Sequence, residues 1–225
     1  MNITKEYYKI LPSTNDAAKK KAAEGAPEGT VIIAESQTSG KGRGDHKFYS
    51  PKGGLYMSLI LRPAFSDFTL ITPAAAAAVC RALENLGFDC GIKWVNDIYK
   101  DGKKVCGILT EANVNDGWAV LGIGINTVCP GKDAPDIAGW LYDDKADNGA
   151  VSNAVLKEFI SIYKKLPDND FIDYYRKKSC LCGKTLLIDG KEYKYEYIDD
   201  DFSLAVSCGG KITKFRCGEV SIKQL

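Results

Sequence analysis

A basic, glycine-rich segment between residues 37 and 47 could bind an anion. It contains three glycines and four side chains that can carry positive charge, namely Lys41, Arg43, His46 and Lys47. Glycines allow a backbone to approach a ligand closely, and basic side chains bind phosphate or carboxylate. The spacing fits neither a Walker A loop nor a dinucleotide fingerprint. A plain solvated loop has a similar composition, so both interpretations stay open at this point.

A second group of charged side chains lies on a predicted hairpin that starts near Lys93. Asp97 interrupts apolar residues there, an Asp-Gly turn follows, and Lys104 begins the returning strand. Facing positions of a hairpin bring side chains together, so the acid and the lysine could share one cleft. A carboxylate among phosphate-binding cations suits a magnesium nucleotide. An ordinary hairpin salt bridge accounts for the same pattern.

Residues 120–126 form a strand-like run in which glycines alternate with apolar residues. Gly122 and Gly124 remove the side chains from one face of this strand, which allows a flat ligand or another backbone to lie against it. Asn126 ends the run and offers both a donor and an acceptor, as an adenine edge demands. The run therefore predicts one wall of a binding site.

Predicted helices and strands connect these segments. Helices are predicted from a cap at Ser13–Asn15 to about residue 24, from about Thr72 to Leu86, and at about 152–166 and 170–178. Apolar runs at 30–35 and 55–61 predict strands, and Asp-Gly pairs at 101–102 and 116–117 predict hairpin turns. Together they predict an α+β fold whose largely antiparallel sheet carries helices on one side.

The pattern of predicted secondary structure changes near residue 179, where short strands and turns begin, and this change predicts two domains. Residues 1–178 form the α+β domain, a sheet flanked by helices, and residues 179–225 form a small β-barrel with turns at 189–190, 199–201, 209–210 and Gly218. The second segment has seven basic and seven acidic residues. A nucleic-acid-binding barrel would be basic, so that role is disfavoured.

Composition narrows the function classes further. The chain has 225 residues, 45% of them hydrophobic, which favours a folded protein. Its net charge of +1 gives no long-range electrostatic attraction to nucleic acid. The start shows no signal-peptide core and the apolar runs are too short to span a membrane, so a cytoplasmic protein is expected. Reduced thiols are therefore expected as well. Cys180 and Cys182 with Cys208 and Cys217 are interpreted as buried core thiols rather than a structural metal site, the first two on one strand face.

Six segments in order resemble the biotin protein ligases. They are Ser13–Asp16, Gln37–Arg43, Ser50–Ser58, Lys93–Asp97, Lys104–Glu111 and Gly122–Asn126, and Gly139-Trp140 extends the match. The resemblance implies a class II synthetase-like (biotin–lipoate ligase) fold with an SH3-like C-terminal barrel. Family members that also repress transcription carry an N-terminal winged helix. This chain starts at the catalytic domain, which implies a ligase that does not bind DNA.

The resemblance implies a biotin–[acetyl-CoA-carboxylase] ligase. Such an enzyme forms biotinyl-5′-AMP from biotin and ATP with Mg²⁺, then transfers biotin to a lysine of a biotin carboxyl carrier protein. Biotin is a substrate here, no membrane partner is implied, and a homodimer is left open. Lipoate ligases and octanoyl transferases share the fold, and a non-enzymatic biotin sensor is another class. A long acyl chain needs no ureido-binding set, and a sensor needs no phosphate clamp, so both are disfavoured.

The resemblance also implies roles for individual residues. Biotin would be bound by Ser13, Thr14, Asn15, Gln37, Gly40, Lys41, Arg43, Tyr56, Lys104, Gly107 and Gly124. The nucleotide would be bound by Arg43, His46, Phe48, Lys93, Asn96, Asn126 and Trp140. Arg43, Lys104 and Asp97 would be catalytic, with Asp97 also a ligand of Mg²⁺. The chain departs from the family's common residues at Lys41, His46, Phe48 and Val95. These differences put its binding of the pyrophosphate end of ATP in question.

Overall fold

The first and larger of two β-sheets has seven strands. In the computed structural model, which describes residues 1–131, 134–216 and 221–222, the strand order is β1-β2-β3-β7-β6-β5-β4. The strands are β1 (Thr4–Leu11), β2 (Thr30–Gln37), β3 (Leu55–Leu61), β4 (Gly91–Lys93), β5 (Asp97–Lys100), β6 (Lys103–Asn113) and β7 (Trp118–Ile125). β1 and β2 are parallel, and the other neighbours are antiparallel. The predicted α+β class and largely antiparallel sheet are confirmed.

Helices cover both faces of this sheet rather than the one face predicted. The helices are α1 (Thr14–Ala23), α2 (Ile71–Asn85), α3 (Asn148–Tyr163) and α4 (Ile172–Lys177). Along β2, Val31 packs in the core with α2 and α3, whereas Ile32 packs in a second cluster with α1. Successive residues of a strand point to opposite faces, so an unbroken apolar run indicates burial on both sides.

The helix ends follow from local side-chain contacts. Ser13 caps α1, because its side chain accepts from the backbone N–H of Asp16. α3 begins four residues before the predicted start at Ser152, and Asp147 caps it by accepting from Ala150 N. The longest of these helices has 16 residues, and in the described ranges none is long and apolar enough to cross a membrane.

The second sheet is smaller and entirely antiparallel. Its order is β11-β10-β9-β8-β12, with β8 (Thr185–Ile188), β9 (Lys191–Ile198), β10 (Leu204–Cys208), β11 (Lys211–Phe215) and β12 (Ser221–Ile222). Asp189 and Gly190 both have positive φ, as the tight β8–β9 turn requires. The predicted turn at Gly218 lies outside the described residues. The boundary at residue 179 stays a prediction, and contacts cross it: Trp94 Nε1 donates to Phe202 O over 2.8 Å.

The interpretation of the cysteines is wrong in two respects. Cys180 and Cys182 lie in a turn, not on a strand, because the chain reverses at Gly183, where φ is +71°. Leu181 between them is the residue that enters the core, so Cys182 is left exposed, as is Cys208. Cys217 lies outside the described residues. Within the part of the chain that the structure describes, no group of three or more His, Cys, Asp or Glu side chains is arranged to hold a metal ion.

Candidate ligand pocket

A cavity of about 400 Å³ lies between the glycine-rich loop, the start of α1 and the strands β6 and β7. Most of the predicted site residues line it. They are Ser13, Thr14, Asn15, Gln37, Lys41, Arg43, His46, Phe48, Tyr56, Asn96, Lys104, Gly107, Gly124 and Asn126. Residues from sequence segments as far apart as α1 and β7 therefore meet at one place.

Four predicted residues stand outside the cavity wall: Gly40, Lys93, Asp97 and Trp140. At Gly40 an added Cβ would lie 2.4 Å from Ser50 Oγ, so this glycine allows the base of the loop to close. Lys93 Nζ lies 5.4 Å from the centre of the Tyr99 ring. Asp97 is not part of the cavity lining but contacts Lys104, which is.

One end of the cavity is a set of buried, mutually bonded polar groups. The amide of Gln37 bridges two elements: its Oε1 accepts from Thr14 N over 2.7 Å, and its Nε2 donates to Ser50 Oγ over 2.9 Å. These two bonds fix which end of the amide carries the oxygen. Ser13 and Thr14 are 2% and 4% exposed. Since buried polar groups are costly without partners, this end suits a ligand with its own donors and acceptors.

Another part of the wall is a flat glycine surface covered by an aromatic ring. Gly107 on β6 pairs with Gly124 on β7. A Cβ added at Gly124 would lie 2.5 Å from the Phe48 ring, and one at Gly107 would lie 2.9 Å from it. Tyr56 packs edge-on against Phe48 with ring centres 6.3 Å apart. The glycine face predicted to accept a flat group thus accepts the Phe48 ring from the loop.

Lys104 and Asp97 form an ion pair at the edge of the cavity. Asp97 Oδ1 is 2.7 Å from Lys104 Nζ, and the two side chains are 17% and 26% exposed. They belong to the antiparallel strands β5 and β6, with a register shift between Ile98 and Tyr99. Lys104 Nζ also lies 5.9 Å from the centre of the Phe48 ring. A cation is therefore held in place beside the flat glycine wall.

The glycine-rich loop folds back on itself and is tied to α1. Gly42 N donates to His46 O over 2.7 Å. Lys41 Nζ contacts Asp16 Oδ1 at 2.7 Å. Burial raises the pKa of Asp16, but hydrogen bonds from Lys41 and Lys19 outweigh this effect and hold the pKa below its usual value. Lys41 therefore gives the loop a charged anchor on α1, while residues 44–47 at its tip stay exposed.

The sequence did not single out every residue of the wall. Pro135, Ile137 and Ala138 also line the cavity. They come from an irregular segment that is held by the backbone bond from Lys104 N to Ile137 O, 3.0 Å long. Short irregular segments carry no periodicity, so the sequence offered no signal for this contact.

Residues 7–126 match the Biotin/lipoate A/B protein ligase family. The chain is 41% identical over 179 residues to the bifunctional ligase/repressor BirA of Bacillus subtilis, with 73% of this chain and 55% of that protein covered. It is 29% identical over 227 residues to the biotin–[acetyl-CoA-carboxylase] ligase of Mycobacterium tuberculosis, covering 92% of this chain and 85% of that one. It thus spans about half the length of the BirA relatives from Bacillus.

Among solved structures, the biotin protein ligase from Aquifex aeolicus in complex with biotin and ATP superposes with a TM-score of 0.87. The match covers 99% of both chains at 26% sequence identity. The matched sequence region includes the start of α1, the glycine-rich loop and the β5–β7 strands that surround the cavity. The chain therefore belongs to the Biotin/lipoate A/B protein ligase family.

Proposed function

We propose that this protein is an ATP-dependent biotin–protein ligase that biotinylates a lysine of a biotin carboxyl carrier protein. The observation that carries the proposal is one cavity with two chemically different ends. A fixed hydroxyl and amide set lies at Thr14 and Gln37, and cations lie at Lys104 and Arg43. Biotin has a ureido ring at one end and a carboxylate at the other, so it matches both ends.

In the first half-reaction, the biotin carboxylate attacks the α-phosphorus of ATP. A C–O–P anhydride forms, and pyrophosphate leaves with the electron pair of the broken P–O bond. Two negatively charged groups must meet, so cations have to neutralise both. Lys104 suits a point contact with the carboxylate, and the planar guanidinium of Arg43 suits a bridge between carboxylate and phosphate. The glycine-rich loop would then shield the anhydride from water.

In the second half-reaction, the ε-amine of the carrier lysine attacks the carbonyl carbon of the anhydride. The new C–N bond gives an amide, and AMP leaves. An ammonium group must first lose a proton, and Asp97 is the carboxylate beside Lys104 at the cavity edge. We assign Asp97 the role of assisting this proton loss.

Mg²⁺ belongs in this scheme as an ion brought by the nucleotide. Among the residues that the structure describes, the carboxylate at the cavity edge is that of Asp97, already paired with Lys104. Mg²⁺ commonly takes one or two carboxylates together with substrate phosphates and water. The described side chains thus fit a nucleotide-bound ion with Asp97 as its protein ligand, where Mg²⁺ would screen the charge of the phosphates.

The family also leaves open a lipoate or octanoate ligase or transferase, and a biotin-binding protein without activity. The buried polar end at Thr14 and Gln37 favours biotin, because an unbranched acyl chain has no donor or acceptor to match the polar groups that line this end. The pairing of Lys104 with Asp97 beside a loop with Arg43 favours a ligase over a sensor. Binding of biotin alone requires no phosphate clamp.

The proposal is tested by measuring pyrophosphate release with ATP and Mg²⁺ and with biotin, lipoate or octanoate. We expect release with biotin, and biotin transfer to an added carrier domain detected by mass spectrometry. A carrier domain whose target lysine is replaced by arginine is the control. Release with lipoate or octanoate alone would favour the other acyl ligases. Biotin binding without pyrophosphate release would favour a sensor.

We expect the loop at residues 39–49 to become ordered when ligands bind. Its glycines and neighbouring cations oppose a fixed conformation, and bound carboxylate and phosphate would neutralise the cations. Hydrogen exchange followed by mass spectrometry should show slower exchange in this segment with biotin and ATP. The core helix α2 serves as the control, because its exchange should not change. Equal exchange of the loop with and without ligands would contradict the prediction.

A further inference from the structure

Asp16 is an acidic residue in the first turn of α1 that the scheme above does not use. It comes directly after Ser13–Asn15, which contribute to the polar end of the cavity. Its Oδ1 lies 2.7 Å from Lys41 Nζ and 3.1 Å from Lys19 Nζ. Partial burial raises the pKa of Asp16, but the two lysines keep that pKa below its usual value, so the carboxylate is charged at neutral pH. An ion pair therefore joins the glycine-rich loop to α1.

The glycine-rich loop forms one side of the cavity. Residues 41–43 and 46–49 line it. Thr38 N donates to Leu11 O over 3.0 Å, which attaches the base of the loop to the segment before α1. Lys41 lies beyond this base, so its contact with Asp16 holds a part of the loop that borders the cavity against the helix.

The contact with Asp16 also bears on what Lys41 does. The resemblance implies that Lys41 binds biotin, but its Nζ is turned to a carboxylate of the protein itself, 2.7 Å away. Because this carboxylate offsets its charge, the ammonium group attracts a ligand anion less than an isolated cation would. The side chain of Lys41 is therefore better placed to hold the loop than to bind the substrate.

We propose that Asp16 is a positioning residue that holds the glycine-rich loop over the cavity through Lys41 and thereby slows the escape of biotinyl-5′-AMP. This inference rests on the proposed function, in which the anhydride must stay bound and shielded from water until a carrier lysine arrives. Asp16 is not part of the cavity lining and acts through Lys41, which is. The loop, rather than the reacting groups, would then set how long the intermediate is retained.

Asp16→Ala tests the inference, because alanine suits a helix but cannot pair with Lys41. Biotinyl-5′-AMP is formed on the protein from radiolabelled biotin and ATP, and its release is followed after adding an excess of the unlabelled adenylate. The paired side chains are 43% and 44% exposed, and exposed ion pairs contribute modestly, so we expect release about three- to tenfold faster. Single-turnover pyrophosphate release should stay within about twofold of the wild type, because Lys104 and Arg43 are unchanged.

Lys41→Ala and the double variant distinguish anchoring of the loop from direct contact with the ligand. If Lys41 acts through Asp16, the two single variants should release adenylate at similar rates. The double variant should then be no more than about twofold faster than either, because both changes remove the same interaction. Hydrogen exchange of residues 39–49 in the ligand-free protein should be faster in all three variants than in the wild type.

Lys21→Ala is the matched control for the loss of an ion pair on α1. Lys21 pairs with Glu6 on β1 at 3.0 Å, and the two side chains are 34% and 33% exposed. This pair does not involve the glycine-rich loop. Lys21→Ala should therefore keep the wild-type rates of adenylate release and of loop exchange, whatever its melting temperature.

Unchanged adenylate release in Asp16→Ala would overturn the inference. A clear further increase when Lys41→Ala is added to Asp16→Ala would overturn it as well, because Lys41 would then contact the ligand directly. Equally fast release in Lys21→Ala would do the same, since a general loss of stability would be responsible. A wild type that forms no adenylate would instead contradict the proposed function, and loop exchange in Asp16→Ala would still decide whether Asp16 anchors the loop.

Discussion

Replacing Lys104 with alanine is expected to slow biotin-dependent pyrophosphate release at least about a hundredfold. The ammonium group is held 2.7 Å from Asp97, so the cation is fixed in place before any ligand arrives. A prepositioned charge stabilises the transition state without having to reorganise. Arg43→Ala on the glycine-rich loop should have an effect of similar size, because it removes the second cation that bridges carboxylate and phosphate.

Single-turnover adenylation with saturating biotin and ATP measures both effects. Matched controls come from exposed lysines in the same segments: Lys103→Ala next to Lys104, and Lys52→Ala after the loop. Each control removes one positive charge outside the cavity wall and should keep the wild-type rate within about twofold. Adenylation at a near wild-type rate in Lys104→Ala or Arg43→Ala would remove that residue from the mechanism.

Local patterns were enough to predict the flat glycine wall and the hairpin ion pair. Gly122 and Gly124 occupy alternate positions of β7, and the period of two places them on one face. Asp97 and Lys104 are separated by a short turn, so their meeting depends on local chain geometry alone. Such features need no knowledge of the distant parts of the chain.

Contacts between distant segments were beyond the sequence. Asn15 meets Ser58 and Glu111 across 43 and 96 residues, and nothing local in either segment indicates the pairing. The helices on both faces of the sheet follow from strand β3, which is apolar except at Ser58 and buried throughout, yet a buried strand pattern does not identify what covers it. Cys182 was misplaced because the turn at Gly183 overrode an apparent strand pattern.

Asp97→Asn is expected to separate the two half-reactions. The new side chain keeps an oxygen that can accept from Lys104 Nζ, so Lys104 should stay in place and adenylation should fall less than about tenfold. An asparagine cannot take up a proton, however, so transfer from preformed biotinyl-5′-AMP to the carrier lysine should fall at least about a hundredfold. Each step is measured alone, by pyrophosphate release and by mass spectrometry of the carrier.

Asp101→Asn is the control, since Asp101 is an exposed carboxylate in the turn of the same hairpin, paired with Lys100. Raising the pH should partly restore transfer in Asp97→Asn, because solvent then removes the proton that Asp97 no longer accepts. If Asp97 only anchors Lys104, both half-reactions should fall together and pH should not restore transfer. If it acts chiefly on nucleotide-bound Mg²⁺, adenylation should fall as far as in Lys104→Ala, and added Mg²⁺ should recover part of the loss. The ratio of the two rates therefore distinguishes proton transfer from both other roles of this carboxylate.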